Sequence, residues 1–193
     1  DSVRIAPFPH RVLFIRTDRL GETVLNLPAV AALKAAHPEA AVAMLVSPAL
    51  QELFSGVPTI DRLLIHSATA PQPWWQRAWR LARELKPQQF DVAIVSNPGK
   101  ELHLAVWLAG IPRRIGYDRK WGGLLTHRIS DEKALGERHE VEYNFELLKP
   151  LGIAAPAEIV LRLPVCQEAN DRVAQRLEGI GVAKQPLVAV HPW

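Results

Sequence analysis

Little in this chain is of the kind that announces a chemistry by itself. Among its 193 residues there is one cysteine, Cys166, so no intrachain disulfide can form and a zinc site built on cysteines is excluded. A reducing, cytoplasmic setting is the default for such a chain. No uninterrupted apolar run is long enough to span a bilayer. The first residues, "DSVRIAPFPH", lack the apolar stretch of a signal peptide and read as an extended lead-in, residues 1–10. No paired histidines stand at metal-ligand spacing on a helix. Around His139, Glu140 and Glu142 are expected to point elsewhere, so no metal is called for. The glycine fingerprint of dinucleotide-binding folds is missing, as is a P-loop, and no cofactor is expected. A net charge of +3 is too weak to mark a nucleic-acid binder. It suits a surface that meets phosphates or an anionic membrane face, and equally a protein that is simply soluble.

What is present is alternation. Apolar residues make up 48% of the chain and charged residues 22%, enough for one full core. Short β-rich runs are expected at 11–16, 40–47, 61–67, 90–96 and 113–117, with a weaker one at 126–130. Between them the patterning predicts helices over 22–38, 48–56, 74–86, 100–110 and 137–152. Pro28 either kinks the first or opens its second part. Gly56, Gly110 and Gly152 are natural stops. This alternation implies an α/β fold, a parallel sheet with helices on both faces. Such sheets bind ligands beyond the carboxyl ends of their strands. Residues 152–169 read as a linker, 167–180 as a helix, and "PLVAVHPW" (186–193) as the first buried strand of a further domain.

The chemistry-bearing residues cluster at those strand ends. After the first strand comes "RTDRLGET" (16–23), with charges of both signs around a glycine. Glu22 reads two ways, as a first-turn charge favourable to the helix dipole or as a general base facing a cleft. Asp18 competes for the second role, and an ion pair with Arg16 or Arg19 is its plain alternative. Gly21 lets backbone approach a ligand. After the fourth strand, "SNPGKEL" (96–102) places Asn97 in a turn and Lys100 at a helix start. A cation there is disfavoured by the dipole, which a bound anion relieves; a solvated lysine is the alternative. "GYDRKWGG" (116–123) sets Arg119 and Lys120 beside Trp121, suited to a sugar-phosphate or to an ordinary surface loop. In the 74–86 helix, Trp74, Trp75, Ala78, Trp79, Leu81, Ala82 and Leu85 are expected on one broad face, with Arg77, Arg80 and Arg83 opposite. That face is either core or a surface for an anionic membrane.

Several of these segments together resemble a known family. "RTDRLGETVLNLPAVAALKAAHPEA" is similar to the opening signature of the ADP-heptose:lipopolysaccharide heptosyltransferases, glycosyltransferase family 9. "FDVAIVSNPGKELHLAVWLAGIPRRIGY", "RHEVEYNFELLKPLG" and "LVAVHPW" resemble later family segments in the same order, over roughly residues 11–193. The resemblance implies a Rossmann-like amino-terminal domain of the glycosyltransferase B type. Residues 11–165 would hold the acceptor, and 166–193 would lead into a nucleotide-sugar-binding domain otherwise absent from the chain. It implies inverting transfer of a heptose from ADP-heptose to the lipopolysaccharide core, without an essential metal or nucleic acid. Contact with the inner face of the cytoplasmic membrane is implied as well. The carboxylate after Leu-Gly would be the base; it is glutamate, Glu22, where the family usually has aspartate, and Asp18 is the runner-up. Arg16, Thr17, Arg19, Gly21, Thr23, Asn97, Lys100, Arg119, Lys120 and His139 are the substrate-binding candidates. Half of such an enzyme is not expected to transfer sugar alone. The rival reading is a non-catalytic α/β module that binds an anionic glycan or a partner protein.

Overall fold

The alternation builds one sheet. In the computed structural model, which describes residues 9–69, 71–182, 186–188 and 190, six strands pair in the order β3-β2-β1-β4-β5-β6. They are β1 (Arg11–Ile15), β2 (Ala41–Val46), β3 (Arg62–Ile65), β4 (Val92–Val95), β5 (Arg113–Tyr117) and β6 (His127–Ile129). Every pairing is parallel. After β3 the chain crosses back to the centre and lays β4 against β1, so the strand order reverses between β1 and β4. That reversal opens a crevice at the carboxyl ends of the two central strands.

Strand residues alternate between two buried faces, as a sheet covered on both sides requires. Leu13, Ile15, Ala43, Leu45, Ala93 and Val95 pack in one core with α4 (Trp74–Leu85) and α5 (Lys100–Leu108). The intervening Val12, Phe14, Val42, Met44 and Ile94 are buried too. Helices α2 (Leu27–Ala36) and α6 (Glu140–Glu146) pack against each other.

Local chemistry trims the expected elements. The helix expected over 22–38 is two: α1 (Leu20–Val24) and α2, which Pro28 opens in its first turn, where its missing N–H costs nothing. The 48–56 segment is a 3-10 turn followed by the single-turn α3 (Gln51–Phe54). The helix expected over 137–152 is the shorter α6. His139 caps its start by accepting from the Val141 N–H at 3.3 Å. Pro150 and the left-handed Gly152, at φ 75°, close its far end as a 3-10 turn.

The broad face expected for α4 is divided. Ala78, Leu81, Ala82 and Leu85 fill the core, whereas Trp75 and Trp79 are more than half exposed. Arg77 leans inward to Glu101 instead of lying with Arg80 and Arg83. The apolar stripe a helix buries is on the order of 100° wide, and Trp75 and Trp79 fall outside the part of the broader face that meets the sheet.

A separate unit begins at Leu163. It contains α7 (Gln167–Gly179), none of whose residues is buried. Cys166 is exposed just before it. Half of the strand expected at 186–193 lies outside the described residues; Pro186 to Val188 and Val190 have no regular structure.

Candidate active site

Arg16 and Ser96 are the residues that follow β1 and β4. The Arg16 N–H donates to the Leu45 carbonyl at 3.0 Å and the Ser96 N–H to that of Ile15 at 3.0 Å, so the sheet ladder fixes both backbones. Arg16 is only 5% exposed. A buried guanidinium needs an acceptor for each edge of its fork. Its Nε donates to Asp18 Oδ1 at 2.6 Å and its Nη2 to Glu22 Oε2 at 2.8 Å. Nη1 donates to the Ser96 carbonyl and hydroxyl, both at 3.2 Å, and lies 3.6 Å from Glu140 Oε1. The mixed charges after the first strand are therefore one cluster around a buried cation.

A layer of buried amides holds that cluster. The Ser96 hydroxyl donates to Asn26 Oδ1 at 2.7 Å, and Asn26 Nδ2 donates to the Glu22 carbonyl at 2.7 Å. Asn144 Nδ2 donates to the Leu25 carbonyl at 3.0 Å, tying α6 to the turn between α1 and α2. Ser96, Asn26 and Asn144 are fully buried. Asn97 accepts from the Thr17 N–H at 3.4 Å and donates to its hydroxyl at 3.2 Å, joining the ends of β1 and β4.

Above the cluster lies a cleft of about 530 Å³. Arg16, Arg19, Arg119, Lys120 and Lys133 line it with Asp18, Glu22, Asp131 and Glu140. Most of these charges hold one another. Arg119 pairs with Asp131 at 2.9 Å, and Lys133 pairs with Glu140 while its ammonium stands 4.5 Å from the Tyr117 ring centre. Burial above all, with the Glu140 and Asp131 charges adding, pushes the Tyr117 hydroxyl up out of the physiological range. Tyr117 stays neutral and donates to the Tyr143 carbonyl at 2.8 Å. The carboxylates of Glu22 and Asp18 are each about one-third exposed and bonded through one oxygen, which leaves the other oxygen of each open to the cleft. Glu22 is the better fixed of the two, since it sits on α1 with its carbonyl held by Asn26, while Asp18 lies in the preceding loop.

A second pocket of about 560 Å³ adjoins the first and shares Asn97, Pro98 and Lys120 with it. Trp74 and Trp121 meet edge to face, with ring centres 5.1 Å apart. Lys100 Nζ stands 4.5 Å from the centre of the Trp74 ring, a cation–π contact that offsets its unfavourable place at the start of α5. Behind them Glu101 accepts from Arg77 Nη2 at 2.5 Å and lies 2.6 Å from His66 Nε2. The loop carrying Arg119, Lys120 and Trp121 turns on Gly122, where a Cβ would fall 2.4 Å from Asp118 Oδ1.

The fold thus gathers Arg16, Asp18, Arg19, Glu22, Asn97, Arg119 and Lys120 in the first pocket, and Thr17 and Lys100 beside Asn97 and Lys120 in the second. Thr23 is buried and gives its hydroxyl to the Arg19 carbonyl at 2.8 Å. His139 is a helix cap. Gly21 faces open space, with nothing near where a Cβ would stand. Sequence reasoning missed Ser96, Tyr117, Lys133 and Glu140 in the cleft, and His66, Trp74, Arg77 and Glu101 in the second pocket. Glu140, expected only to point elsewhere than His139, lies toward Arg16 and pairs with Lys133 from the first turn of α6. Among the described residues no three His, Cys, Asp or Glu side chains are grouped to hold a metal ion. Nor is any helix among them long and apolar enough to cross a membrane.

A parallel sheet of this order, with a polar crevice at its reversal point, defines a Rossmann-like α/β domain of the kind found in glycosyltransferase B folds. Solved structures make the likeness particular. The chain superposes on a family 9 glycosyltransferase from Veillonella parvula with a TM-score of 0.78 at 19% identity, covering 89% of this chain and 50% of that one. It superposes on the ADP-heptose lipopolysaccharide heptosyltransferase II of Escherichia coli with a TM-score of 0.69 at 20% identity, covering 86% and 50%. In sequence it is 32% identical over 140 residues to a Haemophilus influenzae protein named "Putative glycosyltransferase", covering 72% of this chain and 40% of that protein. No protein-family model matches the chain. It carries the fold of a family 9 glycosyltransferase over half, or less, of the length of these relatives.

Proposed function

We propose that this chain is the acceptor-holding part of an inverting glycosyltransferase, with Glu22 as the general base. The observation that carries the reading is the Arg16 cluster: a carboxylate fixed by a buried guanidinium through one oxygen, with the other oxygen open to a polar crevice at the sheet's reversal point. An acceptor hydroxyl bound in the cleft gives its proton to that free oxygen as its own oxygen bonds the anomeric carbon of the donor sugar. The bond from that carbon to the nucleotide diphosphate breaks on the opposite face, so the configuration inverts. Arg16 stays paired throughout and keeps the carboxylate aimed. Arg19, Arg119, Lys120 and Lys100 position an anionic acceptor, and the exposed Trp121 offers apolar surface to the C–H side of a sugar ring. Positioning of this kind is a large share of the rate when two bound substrates must meet in line.

The donor is proposed to be ADP-heptose, by likeness to the Escherichia coli heptosyltransferase, whose name states ADP-heptose and lipopolysaccharide; the acceptor is proposed to be the core sugars of that lipopolysaccharide. Residues 11–165 form the acceptor domain in this proposal, and 166–193 lead into a donor domain. The 193 residues alone are expected to bind acceptor and not to transfer sugar. Calorimetry tests this directly: the chain should bind a lipopolysaccharide-core oligosaccharide and not ADP. Binding of ADP without the oligosaccharide would overturn it. In a protein that carries both halves, Glu22→Gln should lower kcat at least a hundredfold, the lower range for a general base. A rate unchanged in Glu22→Gln but lost in Asp18→Asn would move the base to Asp18.

A further inference from the structure

We propose that the outward face of α4 docks on a bilayer that carries anionic headgroups. Trp75 and Trp79, at 53% and 54% exposure, stand one helical turn apart. Arg83 continues the same row a turn later, its guanidinium carbon 4.7 Å from the Trp79 ring centre. Spacings of four residues place all three side chains on one stripe. That stripe is distinct from the one that folds the protein, since Ala78, Leu81, Ala82 and Leu85 already fill the core below the helix. The two indoles are large apolar groups with no part in that core.

The charge around the stripe chooses the occupant. Arg80, Arg83 and Lys86 are exposed on or just beyond α4, and Glu84 is the sole exposed acid among its residues. The outward face therefore carries three cations against one anion. Among the described residues none of the three cations forms an ion pair. Tryptophan settles at the level of lipid headgroups, with its ring toward the acyl chains and its N–H toward water, while arginine pairs with phosphate. Unpaired arginines flanking exposed tryptophans fit a negatively charged plane better than an uncharged one. In the same helical layer α5 also leaves Trp107 outward, 48% exposed. The surface holds or fails independently of the transferase reading.

The test is flotation of the 193-residue chain with lipid vesicles. One set is phosphatidylcholine alone; the other contains about one-third phosphatidylglycerol, whose charge adds roughly fivefold in binding per basic residue at the surface. Binding should require phosphatidylglycerol and weaken at high salt. Trp75→Ser with Trp79→Ser should reduce it about tenfold or more, and Arg80→Gln with Arg83→Gln should reduce it by a similar factor. All four positions are exposed, so circular dichroism should show unchanged folding. The proposal is overturned by absence of binding to the anionic vesicles, or by variants that bind as the parent does. It is equally overturned if sedimentation shows the tryptophans holding two copies together while the vesicles stay bare.

Discussion

Replacing Arg16 by methionine leaves a chain of similar shape without its buried cation. The guanidinium makes two charge-assisted bonds, to Asp18 and Glu22, and two more contacts with Ser96. Removing one side of a buried ionic cluster costs about 3–5 kcal/mol where the orphaned partner stays buried. Here Asp18 and Glu22 are 38% and 34% exposed and regain water, so the expected loss is smaller, about 2–4 kcal/mol. In a domain of this size that lowers Tm by roughly 5–15 °C. Urea denaturation at neutral pH measures it. The same titration on Arg16→Lys separates charge from packing, since lysine keeps the charge without the guanidinium fork. With Arg16 replaced by methionine, Asp18, Glu22 and Glu140 lose their shared cation, so the lysine variant should recover at least half of the loss. A penalty under about 1 kcal/mol, or one equal in the two variants, would refute the view that Arg16 is there for its charge.

Three further outcomes follow from the same geometry. Burial chiefly, with the nearby Lys120 charge, holds the pKa of His103 below its ordinary value, opposed in part by the Trp121 backbone. The folded state therefore resists a proton that the unfolded chain accepts, and stability present above about pH 6.5 should fall as pH drops toward the folded pKa, by at most about 1.4 kcal/mol per pH unit; His103→Leu should lack that share of the slope in urea titrations across pH. Glu101→Gln removes the anion shared by His66 and Arg77 and should cost about 1–3 kcal/mol by thermal denaturation, and a variant as stable as the parent would remove that triad from the account of the second pocket. In a protein with both halves, Lys100→Ala should raise KM for acceptor more than for donor, and the reverse pattern in steady-state kinetics would place Lys100 on the donor side.

Much of this molecule was determined by the sequence itself. Runs such as "VLFI" and "VAIV" with helical stretches between them dictate a parallel sheet, because strand and helix periods are local properties. Pro28 and Gly152 act where they stand through backbone geometry alone. The crowding of Arg16, Asp18, Arg19 and Glu22 after the first strand was legible as a cleft for the same reason, since strand ends are where this architecture leaves room. The tertiary structure decided what each charge meets. Glu140, Lys133 and Ser96 reach Arg16, one another or Tyr117 because β4 is laid beside β1 and α6 beside α2, and no spacing in the chain encodes those long-range neighbours. The rotation of α4 was likewise beyond reach: a helical repeat says which residues share a face, but only the packing of α4 on the sheet and α5 settled that its alanines and leucines turn inward, Arg77 finds Glu101, and two tryptophans remain outside.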